Sequence, residues 1–296
     1  MKCLDTFLIE KLRASWKALP DKPEESPEST LRSLYFTAAG ISLSHHNALI
    51  TPLPELDPEA KRRLSFLVEQ RCSGIPLAYI TGKQWFMGIE MLASPAASIP
   101  RVETEILGYK TLAIIQALAI ERGMLTIIDL CTGSGSLVLA LVTQEPRLKG
   151  FGADLSLESI EFARKNATYL GLEFRVEFKQ SDLFESFNSD EFFGKVDIIT
   201  CNPPYIPSSK VKRLDSEIIQ HEPLMAFDGG PFGLKIITRL IHDASRFLKP
   251  DSFICFEVGL GQGPLVARML KNSNQYSEII PLNDNAGNIR GFIART

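Results

Sequence analysis

The feature that most constrains this chain is the alternation of short apolar runs with segments of helical spacing beyond residue 126. The runs with strand character are Ile127-Ile128-Asp129-Leu130, Phe151-Gly152-Ala153-Asp154, Val176-Glu177-Phe178, Val196-Asp197-Ile198-Ile199 and Phe253-Ile254-Cys255-Phe256. Parallel strands are joined by helical crossovers, so this alternation builds a mostly parallel sheet with helices on both faces. We therefore predict an α/β fold for this part of the chain.

The front of the chain has helical character instead. Between Cys3 and Leu19 the apolar residues recur at spacings of three and four, which predicts one apolar face of a helix. A second helix is predicted at Leu64 to Arg71, and a loop rich in helix breakers separates the two, with Pro20, Pro23 and Pro27. These features predict a small helical domain over residues 1–82.

A short hairpin is predicted between the two parts. Gln84-Trp85-Phe86 and Ile89-Glu90-Met91-Leu92 flank Met87-Gly88, which suits a tight turn between two strands. We expect residues 83–98 to form a β-hairpin linker and residues 99–296 to form the second domain.

Charge and cysteine content limit the function classes. The 32 basic and 35 acidic residues give a net charge of −3, so we expect no direct binding of nucleic acid and no attachment to a membrane surface. The cysteines are widely spaced without a C-x-x-C pair, which favours reduced thiols and a cytoplasmic location over disulfides or a metal site: Cys3, Cys72, Cys131, Cys201 and Cys255. No signal sequence or membrane span is expected either.

A glycine turn follows the first apolar run, in Asp129-Leu130-Cys131-Thr132-Gly133-Ser134-Gly135. Glycines at a strand-to-helix turn let the backbone approach a ligand and present amide hydrogens at a helix N-terminus. The next run ends in Asp154, where a carboxylate can accept both hydroxyl protons of a ribose. Capping of the following helix is the alternative role for Asp154. Asp182 follows the third run and is a candidate partner for an adenine amino group.

The fourth run leads directly into Asn202-Pro203-Pro204-Tyr205. Proline fixes φ and lacks an N–H, so the loop has carbonyl oxygens without competing donors. The Asn202 side-chain oxygen and the Pro203 carbonyl can each accept one hydrogen of a planar NH₂ group. Tyr205 offers a flat face on which that group can stack. The loop therefore predicts a holder for a planar amide or an exocyclic amino group.

Further motifs occur in order along the chain: Gly74-Ile75-Pro76-Leu77-Ala78-Tyr79-Ile80-Thr81-Gly82, Ile99-Pro100-Arg101-Val102-Glu103-Thr104-Glu105, Glu222-Pro223-Leu224-Met225-Ala226-Phe227-Asp228-Gly229-Gly230, Glu257-Val258-Gly259 with Gln262-Gly263, and Asp284, Gly287 and Arg290. Together with the Asn-Pro-Pro-Tyr loop and the glycine turn, they resemble the HemK/PrmC family of peptide chain release factor glutamine methyltransferases. The resemblance covers about Arg71 to Arg295 and is weak in the residues before Arg71. Cys131 departs from the family at the first glycine of the turn, and Val102 departs where the family has proline.

The resemblance implies a Rossmann-like class I methyltransferase domain that uses S-adenosylmethionine and releases S-adenosylhomocysteine. The implied activity is methylation of the side-chain amide nitrogen of the glutamine in the Gly-Gly-Gln motif of release factors, by a chain expected to be a monomer. The implied catalytic residues are Asn202, Pro203 and Tyr205, with Pro204 as a further substrate contact. The implied cofactor-binding residues are Asp129, Cys131, Thr132, Gly133, Ser134, Gly135, Asp154, Asp182, Leu183 and Asn202.

Two other methyltransferase functions remain open at this point. The same four-residue motif can hold a flipped adenine, as in DNA adenine methyltransferases, but the chain lacks the basic surface on which DNA affinity depends. Cys131 also resembles the branch that methylates a ribosomal protein glutamine, whereas Phe227-Asp228-Gly229-Gly230 is more similar to the release factor branch. The helical domain is expected to recognise the protein substrate, because a glutamine side chain offers little surface for specificity.

Overall fold

The computed structural model describes residues 4–17 and 22–296. It contains two compact units. Unit 1 comprises the described residues up to Pro95 together with Asp215–Glu222, and unit 2 comprises Ala96–Leu214 and Pro223–Thr296.

Unit 1 is mainly helical. Its elements up to Pro95 are α1 (Thr6–Ser15), α2 (Pro27–Ala38), α3 (His45–Ile50), α4 (Pro58–Cys72), α5 (Leu77–Thr81), β1 (Lys83–Phe86) and β2 (Ile89–Leu92). Aliphatic side chains of the helices form its core, among them Leu12, Leu31, Leu34, Leu64 and Val68. The strands β1 and β2 pair antiparallel across Met87-Gly88, so the predicted hairpin is present.

The sequence patterns recovered part of this unit. The helix predicted between Cys3 and Leu19 is present as α1, while Cys3, Leu19 and Pro20 lie outside the described residues. The helix predicted at Leu64 to Arg71 lies within α4. Helix α2 was missed, because Pro27 was interpreted only as a breaker.

Pro27 is in fact the first residue of α2, where its missing N–H removes no helical hydrogen bond. Ser26 caps the helix, since its side chain accepts from the backbone N–H of Ser29 at 3.1 Å. The boundaries 1–82, 83–98 and 99–296 stay a prediction for the domains.

Unit 2 is built around a sheet with the strand order β5-β4-β3-β6-β7-β9-β8. The strands are β3 (Leu125–Leu130), β4 (Leu148–Asp154), β5 (Val176–Gln180), β6 (Val196–Cys201), β7 (Leu248–Glu257), β8 (Glu278–Asn283) and β9 (Ile289–Arg295). The helices after residue 95 are α6 (Thr104–Arg122), α7 (Ser136–Gln144), α8 (Leu157–Leu170), α9 (Ser208–Val211), α10 (Ser216–His221, in unit 1), α11 (Lys235–Asp243) and α12 (Gly263–Ser273), with short 3₁₀ turns at Glu185–Phe187, Leu224–Ala226 and Ala244–Arg246.

The sheet confirms the predicted α/β fold. All five predicted runs are strands, β3 to β7, and these pair parallel with one another. Only β9 runs antiparallel to its neighbours β7 and β8. From β3 the chain proceeds first to β4 and β5 on one side, and later to β6 and β7 on the other. The order therefore reverses between β3 and β6, and the carboxyl ends of such strands border the ligand crevice of open α/β sheets.

Candidate active site

The predicted site residues lie at the carboxyl ends of four neighbouring parallel strands. The glycine turn follows β3, Asp154 ends β4, Asp182 follows β5 and Asn202 follows β6. Parallel pairing puts all four ends at one edge of the sheet. The sheet therefore gathers residues that are far apart in the sequence.

The glycine turn after β3 has a left-handed backbone at three positions. The φ values are 54° at Cys131, 53° at Gly133 and 78° at Gly135. Glycine adopts this conformation without cost, whereas Cys131 pays about 1–2 kcal/mol for it. Cys131, which replaces the usual glycine of the family, thus keeps the conformation of the turn at a cost in conformational free energy.

Close packing beneath the turn requires glycine at two positions. A Cβ at Gly135 would lie 2.9 Å from the ring of Phe178, and one at Gly152 would lie 2.5 Å from it. The Phe178 ring therefore fills the space that the two glycines leave. At Gly133, by contrast, no described atom lies within 4 Å of the position a Cβ would occupy. The outer side of the turn is open to a ligand.

Asp129 anchors the turn from inside the protein. One carboxylate oxygen accepts from the Thr132 hydroxyl at 2.6 Å, and the other accepts from the Thr200 hydroxyl at 2.7 Å. Only 1% of Asp129 is exposed, and burial raises its pKa to about 6 although both hydroxyls favour the ionised form. Asp129 thus links the turn to β6.

Asp154 contacts the same turn from the end of β4. Its Oδ2 accepts from the backbone N–H of Gly133 at 2.9 Å, and its Oδ1 accepts from that of Ser156 at 2.9 Å. The helix α8 is capped by the Ser156 side chain, so Asp154 is not its N-cap. Each carboxylate oxygen has two lone pairs, so Asp154 keeps acceptor capacity for hydroxyl groups. Burial raises its pKa.

The loop after β5 places Asp182 in an ion pair. Its Oδ1 accepts a hydrogen bond from the Arg239 guanidinium at 2.7 Å, in a partly exposed ion pair. Leu183 next to it is buried and has a left-handed φ of 51°. The Leu183 side chain therefore packs into the core, while the carboxylate of Asp182 has a cationic partner.

The loop after β6 is fixed through two side chains. Asn202 donates from Nδ2 to the Thr104 hydroxyl at 3.0 Å, and Tyr205 donates from its hydroxyl to Glu257 Oε1 at 3.0 Å. Burial raises the pKa of Tyr205, so its hydroxyl stays protonated as a donor. Asn202 and Tyr205 are therefore both held in place from the protein interior.

The backbone of this loop is held by later segments of the chain. Gln262 donates from Nε2 to the Tyr205 carbonyl at 2.9 Å. A Cβ at Gly233 would lie 2.1 Å from the same carbonyl, and one at Gly229 would lie 2.5 Å from the Pro204 carbonyl. Gly229 of the Gly-Gly motif and the nearby Gly233 thus let the loop pack closely, and Gln262 orients its Tyr205 peptide group.

Two cysteines meet beside the site. Cys201 is the last residue of β6 and is buried, while Cys131 in the glycine turn is partly buried. Burial, together with a hydrogen bond to Cys131, raises the pKa of the Cys201 thiol far above its ordinary value. A thiol held protonated in this way is a poor nucleophile, so Cys201 acts as a structural residue of the strand.

Sequence reasoning gave no role to three residues that support the site: Thr104, Glu257 and Gln262. Each lies in a motif that carried the family resemblance, which was the available signal. Their contacts could not be derived from spacing, since Thr104 and Glu257 are 153 positions apart.

Comparison with known families gives two matches. Residues 121–290 match a family described as a methyltransferase domain, and residues 12–82 match the PrmC N-terminal domain. The first match spans more than half of the chain and falls in unit 2, except for Asp215–Glu222, which belong to unit 1.

Curated relatives match over almost the full length. The release factor glutamine methyltransferase of Agrobacterium fabrum is 32% identical over 97% of this chain and 96% of its own. That of Bacillus subtilis is 31% identical over 97% of both chains. That of Moorella thermoacetica is 34% identical over 86% of both chains.

Solved structures are similar in fold. The catalytic domain of hMettl16 in complex with a MAT2A 3'UTR hairpin superposes with a TM-score of 0.53 at 16% identity, over 83% of this chain and 84% of that chain. The human methyltransferase 10 domain containing protein gives a TM-score of 0.51 at 16% identity, over 71% of this chain and 89% of that chain. Within the residues that the structure describes, no helix is both long and apolar enough to cross a membrane.

The raised pKa of Asp129 predicts a pH-dependent change in stability. A folded-state pKa near 6, above the ordinary 3.8, favours folding when Asp129 is protonated, and this contribution is lost as the pH rises through about 6. The Asp129→Asn variant does not titrate there. We expect the free energy of unfolding of the wild type, relative to this variant, to fall by about 2 kcal/mol between pH 4 and pH 8.

Urea denaturation of both proteins without ligand, at several pH values, measures this difference, and the titrations they share cancel. A difference that is constant over the whole range would contradict the assigned environment of Asp129.

Proposed function

The chain belongs to the family of release factor glutamine methyltransferases, and we propose that it transfers a methyl group from S-adenosylmethionine to the side-chain amide nitrogen of the Gly-Gly-Gln glutamine in a peptide chain release factor. The observation that carries this proposal is the Asn-Pro-Pro-Tyr loop, held at the carboxyl end of β6 beside the glycine turn after β3. Identity of 31–34% over 86–97% of this chain to curated enzymes of that name supports the substrate.

The residues at the sheet edge fit S-adenosylmethionine. When bound, this cofactor supplies a methyl group on an electrophilic sulfonium. Within the turn from Thr132 to Gly135, the open side of Gly133 suits its methionine end, and the remaining lone pairs of Asp154 suit the ribose hydroxyls. The loop at Leu183, whose side chain is buried in the core, is proposed to border the adenine.

Three of the residues that were expected to bind the cofactor are proposed to support the site or to act together with another residue. Asp129 and Cys131 shape the turn, because Asp129 is buried under it and Cys131 supplies its first left-handed position. Asp182 acts together with Arg239, with which it is paired, at the outer rim of the adenine side.

The Asn-Pro-Pro-Tyr loop holds the substrate amide. An amide nitrogen is a poor nucleophile because its lone pair is delocalised into the carbonyl. The Asn202 side-chain oxygen and the Pro203 carbonyl each accept one of its hydrogens, which stabilises the positive charge that grows on the nitrogen during attack. Tyr205 stacks on the amide plane and keeps it in line for transfer. The nitrogen then loses a proton to water, so no strong base is needed.

The two alternative substrates gain no support over the release factor. The hMettl16 structure holds an RNA hairpin, but its 16% identity concerns the fold alone. The near-neutral charge balance supports the further proposal that this chain does not bind nucleic acid directly. That the chain works as a monomer stays a prediction. The described cysteines form no disulfide, which fits the proposed cytoplasmic location.

Unit 1 is proposed to recognise the body of the release factor. The match to the PrmC N-terminal domain covers residues 12–82. A single glutamine side chain buries too little surface to define one protein substrate, so selectivity requires contacts outside the loop that holds it.

Replacement of Asn202 by alanine tests the role of the loop. Asn202→Ala removes one acceptor for the substrate amide, and we expect kcat to fall by about 10²–10³-fold while the Kd for S-adenosylmethionine stays close to that of the wild type. Single-turnover methylation and calorimetric titration measure the two quantities. Asn272→Ala, on the exposed side of α12, is the matched control and should leave both unchanged. Equal loss of cofactor binding and of turnover would contradict the assigned role.

Comparison of a peptide with the intact factor tests the role of unit 1. We expect kcat/KM for an intact release factor to exceed that for a short Gly-Gly-Gln peptide by about 100-fold, with most of the difference in KM, because the peptide lacks the additional interface. Steady-state kinetics with both substrates gives this ratio. Equal efficiency for the two would show that recognition is confined to the motif.

A further inference from the structure

Asn202 and Tyr205 are connected through one buried carboxylate. Glu257, the last residue of β7, is only 1% exposed. Its Oε1 accepts from the Tyr205 hydroxyl at 3.0 Å, and its Oε2 accepts from the Thr104 hydroxyl at 2.7 Å. The oxygen of Thr104 in turn accepts from Asn202 Nδ2 at 3.0 Å.

The direction of each hydrogen bond in this series from Glu257 to Asn202 follows from which atoms can donate and which can only accept. An ionised carboxylate only accepts, so the single hydroxyl hydrogen of Thr104 must point to Glu257. The Thr104 oxygen is then left as an acceptor toward Asn202. Only the Nδ2 side of the Asn202 amide can satisfy it, because Oδ1 in that place would face another oxygen without a hydrogen between them.

The consequence is a fixed orientation of the Asn202 amide. With Nδ2 of Asn202 bound to Thr104, Oδ1 of Asn202 accepts no hydrogen bond within the described residues and keeps its lone pairs. An amide side chain has two nearly isosteric orientations, and one presents a donor where the other presents an acceptor. The buried carboxylate therefore decides which of the two faces the substrate.

We propose that Glu257 and Thr104 are positioning residues that orient the Asn202 amide, so that the site accepts the NH₂ group of a glutamine and rejects the carboxylate of a glutamate. This rests on the proposed function and adds a source of selectivity to it. Tyr205 is held by the other oxygen of the same carboxylate, so a single buried group aligns the acceptor and the stacking surface.

The surroundings of Glu257 suit this role. The Arg290 guanidinium lies 3.9 Å from Oε1 and supplies a positive charge. Burial raises the pKa of Glu257, while Arg290 and the two hydroxyl donors act in the opposite direction. Thr104 is the first residue of α6 and is buried, so little of its hydroxyl is accessible to competing water.

Three variants of the chain separate orientation from simple packing. Thr104→Val keeps the shape and removes the hydroxyl, whereas Thr104→Ser keeps the hydroxyl. We expect kcat to fall about 10- to 100-fold in Thr104→Val and to stay within about threefold of the wild type in Thr104→Ser, with the KM for S-adenosylmethionine unchanged in both. Thr143→Val is the matched control, because the Thr143 hydroxyl bonds only within its own helix α7 at Leu139.

A binding measurement reports the orientation itself. The probes are a release factor with its natural Gly-Gly-Gln and the same factor with that glutamine replaced by glutamate, titrated into full-length enzyme saturated with S-adenosylhomocysteine. The wild type should bind the glutamine form more tightly. In Thr104→Val the Asn202 amide can turn and donate to a carboxylate, so the preference should fall by about tenfold or more, while Thr104→Ser should restore it.

The outcomes distinguish this inference from the proposed function. If the wild type does not methylate the glutamine at all, the proposed function fails. If it does, but Thr104→Val keeps both the wild-type kcat and the wild-type preference for glutamine, the orienting role is wrong. Should Thr104→Val not fold, as judged by its melting temperature, Glu257→Gln replaces it, because its amide lets Thr104 reverse its hydroxyl at almost the same volume. Retention of full preference in Glu257→Gln would equally overturn the inference.

Discussion

Hydrogen bonding to buried carboxylates is the interaction on which both halves of the site depend. Asp129 at the end of β3 accepts from Thr132 and Thr200, and so ties the glycine turn to β6. Glu257 at the end of β7 accepts from Thr104 and Tyr205, and so holds the loop that follows β6. Since the ends of parallel strands share one edge, these two anchors bring the cofactor turn and the substrate loop to one place.

Burying a carboxylate costs free energy, and this explains why hydrogen-bond donors surround each of the two. Removing an ionised carboxylate from water costs several kcal/mol unless hydrogen bonds replace its hydration. Each of the two carboxylates receives one donor on each oxygen, and burial still raises the pKa of both. In return, a carboxylate can only accept, so it imposes a direction on every hydroxyl that binds it. That property suits a site in which the orientation of one amide decides what is bound.

Sequence patterns predicted five of the seven strands of the sheet, β3 to β7, and the chemical loops because their signals are local. The five apolar runs, the glycine turn and Asn202-Pro203-Pro204-Tyr205 can each be recognised within a few neighbouring residues. The supporting contacts are not local: Thr104 meets Glu257 across 153 positions, and Gln262 reaches back 57 positions to Tyr205. No sequence periodicity indicates such pairs. They can be predicted only when the strand order is known. That α10 belongs to unit 1 could not be predicted from the sequence for the same reason.

The most direct test of this account is peptide mass spectrometry of three candidate substrates, each incubated with this protein and S-adenosylmethionine: a purified release factor, a ribosomal protein and duplex DNA. The predicted result is one added methyl group on the glutamine of the Gly-Gly-Gln motif of the release factor, with neither of the others modified. Methylation of the ribosomal protein or of adenine, with the release factor left unmodified, would contradict the account.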